Sequence, residues 1–359
     1  MKFVHIADMH FDAPFTSLVT RENLLENRKL DQRKIFKKVI DYIKQENIPY
    51  LFIAGDLYEN EYVKESSIIY INNLFKEIPD TKIFITPGNH DPYIKNSYYS
   101  DFKFASNVYI FKGDFECKEM PDVNIYGMAF TSFYCKDTNF GNLVKIENGK
   151  PNILLMHASL DGSNDENREY NPVLKSKIET LEMDYVALGH IHKLYFNENK
   201  NQNIVYPGSP MSFGFDELGK HGMIVGEINR DKLDLEFIKL DDTEFTVLEK
   251  NVENFNSKED LVEYLNELSL EENKLYKIEL IGNRNFEINV REIFKLITNN
   301  KILKIKDLTK IGYNLDELKN ENTLKGLFVK KMFEKLNSNE YTELEIEKAI
   351  EIGLNAMEK

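Results

Sequence analysis

The stretch Lys82-Ile83-Phe84-Ile85-Thr86, followed after Pro87 by Gly88-Asn89-His90-Asp91, decides how this sequence folds. Its first part is an apolar run of the kind that forms a buried strand. Its second part places an amide, an imidazole and a carboxylate on the loop that follows, and these side chains suit a metal or phosphate site better than a core. Four other apolar runs end in the same way. They deliver Asp8-Met9-His10, Gly55-Asp56, His157 and Gly189-His190-Ile191-His192.

Apolar runs alternate with helical periods in the N-terminal part of the chain. Residues 2–7, 50–54 and 82–86 predict strands, and residues 33–46 and 63–78 predict the helices between them. This order is typical of a layered α/β fold with a largely parallel sheet. Ligands bind beyond the carboxyl ends of the strands in such sheets. Since the first three motifs all follow strand ends, the sequence predicts that they meet.

A second sheet is predicted further along the chain. Residues 152–156 and 184–188 are apolar strands that deliver the last two motifs, whereas residues 96–148 before them show no clear period. Residues 204–210 and 222–228 are interpreted as strands that close this second sheet. The motifs of the two sheets are expected to form one site.

The C-terminal part of the chain carries none of these motifs, and no histidine follows His221. Residues 275–281 predict a strand and residues 290–297 a helix, which indicates a small α+β module. Two amphipathic helices are predicted over 324–336 and 342–357. The apolar stripe of the second helix either packs on its own domain or docks a partner. The stripe consists of Ile346, Ile350, Leu354 and Met357.

The length, charge and amino-acid composition of the chain limit the class of protein to which it can belong. A chain of 359 residues is expected to fold as two or three domains. The net charge of −14 is spread evenly, with 28 Lys and Arg against 35 Asp and Glu up to residue 240 and 18 against 25 after it. Without a basic tail, charge alone does not indicate a nucleic-acid binder. No run approaches the roughly 18 apolar residues of a membrane span, and Cys117 and Cys135 match no metal or redox spacing. We expect a cytoplasmic protein without a membrane segment.

Five of the seven histidines lie in the motifs, each at a predicted strand end. One such histidine alone is ordinarily structural, but five of them accompanied by Asp8, Asp56 and Asn89 favour metal binding. Mixed imidazole, carboxylate and amide ligands suit Mn²⁺, Fe²⁺ or Zn²⁺ better than Ca²⁺ or Mg²⁺. Seven ligands are too many for one ion, so two divalent ions are predicted, with Mn²⁺ preferred.

Four further residues are candidates for substrate contact. Lys95 and Tyr98 lie in a segment that mixes aromatic and basic side chains, which can stack on bases and contact phosphate. Arg168 follows His157 in a polar loop, and His221 lies between glycines. The alternative is that these are ordinary loop and turn residues.

Taken in order, the motifs Asp-x-His, Gly-Asp, Gly-Asn-His-Asp, His and Gly-His-x-His resemble those of the calcineurin-type metallophosphoesterase superfamily. The resemblance covers residues 1 to about 230. A narrower resemblance, to the SbcD-type DNA repair nucleases and their YhaO-like branch, rests on three longer stretches. They are His5-Ile6-Ala7-Asp8-Met9-His10-Phe11-Asp12-Ala13-Pro14-Phe15, Gly189-His190-Ile191-His192-Lys193 and Tyr206-Pro207-Gly208-Ser209-Pro210.

This resemblance implies an α/β fold built as a four-layer α-β-β-α sandwich, with a small α+β capping domain and C-terminal helices. Residues 1–240 would form the metallophosphoesterase (nuclease) domain. Residues 241–312 would form the capping domain, and residues 313–359 a helical region that binds the partner.

The resemblance also implies roles for the site residues. One ion would be held by Asp8, His10, Asp56 and His192, and the other by Asp56, Asn89, His157 and His190, with Asp56 shared. His90 would face the phosphate and either stabilise the transition state or protonate the leaving oxygen. Asp91 would orient His90 or cap the turn.

The function implied is phosphodiester hydrolysis of DNA by an exonuclease and endonuclease subunit of an SbcCD-like repair complex. The partners would be DNA, the coiled coil of an SbcC-type ATPase, and a second copy of the chain. Two alternatives stay open: a small-molecule phosphodiesterase or phosphatase of the same superfamily, and a non-catalytic scaffold for the ATPase.

Overall fold

The computed structural model describes residues 1–15, 22–161, 170–197, 200–229, 232–312, 315–336 and 341–357. The chain forms two compact units, Met1–Thr246 and Val247–Lys359. None of the helices described in these ranges combines the length and the apolar character that a membrane crossing requires.

The first unit alternates strands with helices, numbered here in chain order. Its elements are β1 (Lys2–Ile6), α1 (Glu22–Gln45), β2 (Tyr50–Ile53), α2 (Glu65–Lys76), β3 (Lys82–Ile85), α3 (Tyr98–Asp101), β4 (Val108–Ile110), β5 (Glu116–Glu119), β6 (Asn124–Gly127), β7 (Asn152–His157), β8 (Ser159–Leu160), β9 (Pro172–Val173), α4 (Lys175–Glu179), β10 (Tyr185–Gly189), β11 (Ile204–Val205), β12 (Gly222–Asn229) and β13 (Lys232–Lys239).

Two sheets form the centre of this unit. The first has the strand order β13-β12-β1-β2-β3-β4, in which β1 to β4 are parallel and β12 runs antiparallel to β1. The second has the order β11-β10-β7-β6-β5, with β5 antiparallel to the parallel strands β6, β7, β10 and β11. The predicted parallel βαβ arrangement is therefore confirmed.

The core lies between the two sheets. Phe3, Phe52 and Phe84 from the first sheet share one buried cluster with Ile153 and Tyr185 from the second. Because side chains alternate along a strand, the neighbouring residues of each strand face outward. The outer face of the second sheet packs against Ile178 of α4, and the buried apolar side of α1 meets α2 through Phe36 and Phe75.

The layer order is thus α-β-β-α, as the sequence predicted. Two details differ from the prediction. β12 pairs with β1 in the first sheet and does not close the second sheet. The stretch 96–148, which showed no period, contributes β6, a fully buried strand of the second sheet.

Helix α1 begins eleven residues before its predicted start at Arg33. Its first half buries polar side chains, Arg28 and Gln32, which an apolar periodicity does not detect. The Arg28 guanidinium donates to both carboxylate oxygens of Asp241, at 3.2 and 2.6 Å, and to the Ser212 carbonyl at 2.9 Å. The Arg28–Asp241 ion pair therefore connects α1 with the segment that follows β13.

We expect Asp241→Asn to destabilise the first unit by about 3–5 kcal/mol, because it removes the buried carboxylate that pairs with the buried Arg28 guanidinium, whose other partner, Asp31, is partly exposed and lies at 3.6 Å. The matched control is Asp242→Asn, because Asp242 is exposed and its ion pair with Lys38 lies on the surface. Such a surface pair contributes about 0–1 kcal/mol. Urea unfolding of both variants measures the difference. Equal midpoints would show that the buried pair contributes nothing.

The second unit contains a three-stranded sheet and two groups of helices. Its elements are β14 (Glu244–Asn251, which begins at the end of the first unit), α5 (Lys258–Glu267), β15 (Lys274–Ile281), β16 (Asn283–Arg284), α6 (Val290–Leu296), β17 (Ile302–Asp307), β18 (Lys310–Ile311), α7 (Leu315–Leu318), α8 (Leu324–Leu336) and α9 (Glu343–Ala356). The sheet order is β14-β15-β17, with β15 and β17 parallel. Helices α5 and α6 share a core cluster with this sheet, and α7, α8 and α9 form another cluster among themselves.

The two predicted C-terminal helices are α8 and α9, and α9 begins with the capping box of Thr342 and Glu345. The predicted stripe of α9 is not a free surface. Ile346, Ile350 and Leu354 are buried against α8, so the interpretation that they pack on their own domain holds. Met357, the fourth residue of the stripe, is exposed, and so are Leu324, Leu327, Leu344 and Ile352 of these helices.

Candidate metal centre

The seven predicted ligands meet at one end of the first unit. The last residues of β1, β2 and β3 stand in register, and Gly189 pairs with His157 across β10 and β7. The loops that follow these strand ends converge, as expected of a ligand site in an open α/β sheet. The side chains brought together are Asp8, His10, Asp56, Asn89, His157, His190 and His192.

Two facing imidazoles form the first half of the centre. Nε2 of His10 lies 3.0 Å from Nε2 of His192 and 3.7 Å from Oδ2 of Asp56. Nδ1 of His10 donates to Glu59 at 2.7 Å, and Nδ1 of His192 donates to Glu217 at 2.5 Å. A carboxylate only accepts, so each neutral ring carries its proton on Nδ1 and presents a lone pair on Nε2. The two lone pairs point into the same space.

The second half of the centre repeats this arrangement. Nδ1 of His157 donates to the carbonyl of Ala54 at 2.9 Å, which leaves a lone pair on Nε2. That atom lies 2.9 Å from Oδ1 of Asn89 and 3.1 Å from Oδ2 of Asp56. Nδ1 of His190 lies 3.3 Å from the same Asn89 oxygen. Nitrogen and oxygen acceptors again converge.

Asp56 lies between the two halves, with its Oδ2 close to both His10 and His157. Asp8 groups with His10 and His192 on one side and with Asp56 and His157 on the other. Acceptor atoms that converge in a buried space repel one another unless a proton or a metal cation lies among them. This donor set therefore fits divalent cations that take mixed imidazole and carboxylate ligands.

Backbone strain is concentrated at the same residues. Four of the seven predicted ligands have a left-handed backbone, with φ of 54° at Asp8, 46° at His10, 52° at Asp56 and 100° at His190. Side-chain-bearing residues rarely adopt this conformation, and its cost is retained mainly at functional sites.

Neighbouring residues stabilise these strained loops. The Gln32 amide donates to the carbonyls of Met9 and His10, each at 2.8 Å. Gly88 is required by close packing, because a Cβ atom there would collide with the Asp56 carboxylate. The motifs that contain Asp56 and Gly88 therefore fit together only when position 88 has no side chain.

Burial and neighbouring charges have opposite effects on the pKa values of the buried groups. Burial lowers the pKa of His157, but the Asp56 carboxylate raises it to about 9. Burial likewise lowers the pKa of His192, and its hydrogen bond to Glu217 raises it to about 9. For Asp56, burial raises the pKa, but the charge of His157 holds it well below the ordinary value. Asp56 is therefore ionised at neutral pH, as an anionic ligand must be.

His90 lies at the accessible edge of the centre, with 45% of its side chain exposed. Its Nδ1 is 2.9 Å from Oε2 of Glu59, the carboxylate that also holds His10. Burial lowers the pKa of His90, and the hydrogen bond to Glu59 and the charge of Asp56 raise it to about 9. With Nδ1 taken, Nε2 is the ring nitrogen that remains for a substrate oxygen.

Asp91 has the turn-capping role and does not orient the His90 ring. It is fully buried and accepts the backbone N–H groups of Gly88, Asp56 and Leu57, at 2.6, 3.1 and 2.7 Å. It also accepts the Tyr99 hydroxyl at 2.7 Å. The carboxylate that meets His90 belongs to Glu59, so the prediction that Asp91 orients His90 is wrong.

A model of the calcineurin-like phosphoesterase family matches residues 1–194, more than half of the chain and the segment that carries the predicted ligands from Asp8 to His192. The chain belongs to the calcineurin-like phosphoesterase family. The resemblance seen in the motifs is confirmed.

The curated relatives that match this calcineurin-like phosphoesterase include a metallophosphoesterase and a nuclease subunit. The metallophosphoesterase YhaO of Bacillus subtilis is 22% identical over 67% of this chain and 61% of that protein. The SbcD subunit of the nuclease SbcCD from Staphylococcus epidermidis is 28% identical over 61% of this chain and 64% of that protein. The chain thus spans less than two thirds of the length of each relative. Among solved structures, the Escherichia coli phosphoesterase YfcE is 13% identical over 67% of this chain and all of that one, with a TM-score of 0.30.

A cavity of about 580 Å³ opens over the metal centre of this calcineurin-like phosphoesterase. Its floor includes His10, Asn89, His90 and His192. The described residues that line its walls include three carboxylates and five aromatic rings, and no lysine or arginine. These residues are Glu59, Glu61, Glu217, Tyr62, Phe133, Tyr134, Tyr170 and Phe213.

None of the described residues that were predicted to contact the substrate lines this cavity. Lys95 is exposed elsewhere, and the Tyr98 ring packs edge-on against Tyr58. His221 is buried, with Nδ1 3.0 Å from the Ser209 hydroxyl and Nε2 2.9 Å from a backbone carbonyl. Phosphate contact by His221 is therefore excluded by burial. Arg168 lies outside the described residues.

Neither carboxylate behind the histidines, Glu59 or Glu217, was among the predicted site residues. Glu59 follows Asp56 by three residues on the same loop, so its position near a predicted ligand could have identified it. Glu217 lies in an irregular segment, where no pattern marks it. Its Oε2 also accepts the Ser209 hydroxyl at 3.2 Å. Carboxylates that hold the far nitrogen of a metal-binding histidine orient the ring and raise its basicity.

Glu217→Gln is expected to lower the affinity for Mn²⁺ about 10–100-fold, the usual cost of losing such a partner. The reason is that the glutamine amide is neutral, so it does not place a negative charge beside Nδ1 of His192. Equilibrium dialysis against graded Mn²⁺ measures the change. Asp216→Asn, one residue away and exposed, is the matched control. Equal Mn²⁺ affinity in the two variants would show that Glu217 does not support the centre.

Proposed function

We propose that this chain is a two-metal phosphodiester hydrolase that acts on DNA as the exonuclease and endonuclease subunit of an SbcCD-like repair complex. The observation that carries the proposal is the convergence of seven ligands around Asp56, beside an accessible imidazole. His10 and His157 both approach the same Asp56 oxygen, with their Nε2 atoms 3.7 and 3.1 Å from it. A single carboxylate in that position can serve two ions.

Two groups of ligands would hold the ions. Asp8, His10 and His192 form one with Asp56, and Asn89, His157 and His190 form the other with it. Bound divalent cations supply charge neutralisation and lower the pKa of water, which is the chemistry such pairs contribute to phosphodiester hydrolysis. Mn²⁺ is proposed first, and Fe²⁺ or Zn²⁺ as alternatives, because imidazole binds all three well.

His90 would act on the leaving group. The structure gives it three properties that this role needs: an exposed ring, a position beside the ligand Asn89, and an Nδ1 fixed by Glu59. The remaining Nε2 would protonate the leaving 3′ or 5′ oxygen or stabilise the charge that develops on phosphate.

Two features support the complex as a whole. One relative is by name a subunit of the nuclease SbcCD. The other is the exposed apolar set of α8 and α9, Leu324, Leu327, Leu344 and Ile352, which we propose as the docking face for the coiled coil of an SbcC-type ATPase. In this proposal residues 241–312 cap the nuclease domain of residues 1–240, and residues 313–359 carry the partner face. The motif resemblance supports a homodimer, and the free thiols Cys117 and Cys135 are consistent with a cytoplasmic location.

A small-molecule phosphodiesterase or phosphatase is the second candidate function. The cavity favours it, because the described walls carry carboxylates and no basic side chain, whereas nucleic-acid sites ordinarily carry Lys and Arg. A scaffold without catalysis has less support, since it has no need of a complete and strained ligand set.

The deciding experiment compares two substrates in Mn²⁺. Purified protein is incubated with linear duplex DNA, alone and with its co-purifying partner, and with bis-p-nitrophenyl phosphate. We expect Mn²⁺-dependent cleavage of both. Hydrolysis of bis-p-nitrophenyl phosphate with intact DNA under every condition would favour the small-molecule enzyme. Activity toward neither substrate, with metal bound, would favour the scaffold.

A further inference from the structure

Three exposed aromatic side chains stand around the mouth of the cavity over the metal centre: Tyr62, Phe133 and Tyr134. We call them the rim trio. They are 52%, 38% and 56% exposed, and all three line the cavity whose floor contains His10 and His90. Tyr62 comes from the segment between β2 and α2, and the other two come from the segment between β6 and β7. Separate parts of the chain thus bring aromatic rings to the same opening.

The rim trio differs from the other aromatic residues of the cavity. The Phe213 ring packs against the imidazoles of His10 and His192, with centroid distances of 5.6 and 6.0 Å. The Tyr170 ring packs 5.5 Å from His190. These two rings therefore support ligands. The rim trio leaves large apolar surfaces in water beside the site, and aromatic surface exposed next to a cavity is typical of a binding site.

Charge around the cavity limits what these rings can bind. Glu61 is exposed at the wall, and Glu59 and Glu217 lie deeper, each bonded to a histidine. Since the described walls hold no lysine or arginine, this part of the cavity offers no ion pair to phosphates beyond the one at the metal centre. Its aromatic rings instead suit an uncharged, flat group. A nucleobase has such a face, and base–aromatic stacking tolerates any base.

We propose that the rim trio is a nucleobase subsite, which stacks on an unpaired base adjacent to the phosphodiester held at the metal centre. This inference rests on the proposed phosphodiesterase function and adds a ligand to it. The stacked base must lie outside a duplex, because the neighbouring bases of a duplex cover both faces of a base and leave only its edges to a side chain. The subsite would position the bond to be cut without help from basic residues.

The cleavage test uses two single-stranded oligonucleotides that differ at one position. One has a normal base beside the scissile phosphodiester, and the other has a tetrahydrofuran abasic residue there. We expect the wild-type protein in Mn²⁺ to cut the first with about tenfold higher kcat/KM. Tenfold corresponds to about 1.4 kcal/mol, within the range known for base–aromatic stacking.

The variants test which rings are responsible. We expect Tyr62→Ala and Tyr134→Ala each to reduce the tenfold ratio toward one, and Tyr134→Phe to restore it because a phenyl ring also stacks. The matched control is Tyr195→Ala, since Tyr195 is 48% exposed in the same unit but lines a different cavity. That variant is expected to keep the wild-type ratio.

A binding readout separates this inference from the proposed function. In the His90→Ala background, an oligonucleotide with 2-aminopurine at the stacked position should lose fluorescence on binding, and the further change Tyr134→Ala should restore it. Equal cleavage of the normal and abasic oligonucleotides, or no quenching, would overturn the nucleobase subsite while leaving the phosphodiesterase intact. Quenching without cleavage of any DNA by the wild type would support the subsite and overturn the proposed nuclease.

Discussion

Asp56→Asn is expected to purify with almost no bound metal and to lose phosphodiesterase activity. Asp56 Oδ2 lies 3.1 Å from Nε2 of His157 and 3.7 Å from Nε2 of His10, so one atom serves both halves of the centre. An amide oxygen carries no full charge and cannot be shared by two cations. The loss should therefore exceed the 10–100-fold effect of removing an outer carboxylate such as Glu217.

The measurement is metal content by mass spectrometry after equilibration with Mn²⁺ and desalting, with activity followed in parallel. Asp114→Asn, an exposed carboxylate in a loop, is the matched control and should keep two ions per chain. If Asp56→Asn retained stoichiometric metal and wild-type activity, the shared carboxylate would be wrong, and with it the two-ion centre.

His90→Ala is expected to keep both ions and to lose about 10²–10⁴-fold in kcat, the range for removal of a general acid or base. The ring is also close enough to His10 and Asp56 to form a possible metal cluster with them. Metal content therefore distinguishes two roles. Loss of an ion from His90→Ala would make His90 a ligand.

The choice of substrate separates the two catalytic roles of His90. A DNA phosphodiester releases an alkoxide, which needs a proton, whereas bis-p-nitrophenyl phosphate releases a phenolate, which does not. A general acid predicts a large fall in kcat on DNA and a small one on the nitrophenyl ester. Stabilisation of the transition-state phosphate predicts equal falls on both. An unchanged kcat on both substrates would remove His90 from the mechanism.

The convergence of the seven candidate ligands could be predicted because each follows an apolar run. A buried strand is visible in the sequence, and parallel strands place their carboxyl ends together, so Asp8 and His157 could be expected to meet although they lie far apart in the chain. The layered fold followed from the same runs. What the pattern could not supply was the partner of β12, because its alternation suits the edge of either sheet.

Other parts of the site depend on tertiary contacts that leave no mark in the sequence. Asp91 has the same neighbours along the chain whether it faces His90 or the backbone of Asp56, and only the folded loop decides between them. Tyr98 lies in the segment that suggested base stacking, yet its ring packs on Tyr58. Two of the rings that reach the cavity, Phe133 and Tyr134, come from a stretch without any period.

The position of Asp241 has a practical consequence for preparing the first unit as a separate fragment. A fragment that stops at residue 240, the boundary that the motif resemblance implies, would omit Asp241, the carboxylate closest to the buried Arg28, and leave that guanidinium only the longer ion pair with Asp31 at 3.6 Å. The Ser212 amide, which also donates to Asp241, would lose its acceptor in the segment that leads to Glu217. Truncation a few residues too early would thus destabilise the segment that carries Glu217 at the wall of the cavity. Inactivity of such a fragment would therefore not show that the intact chain is inactive.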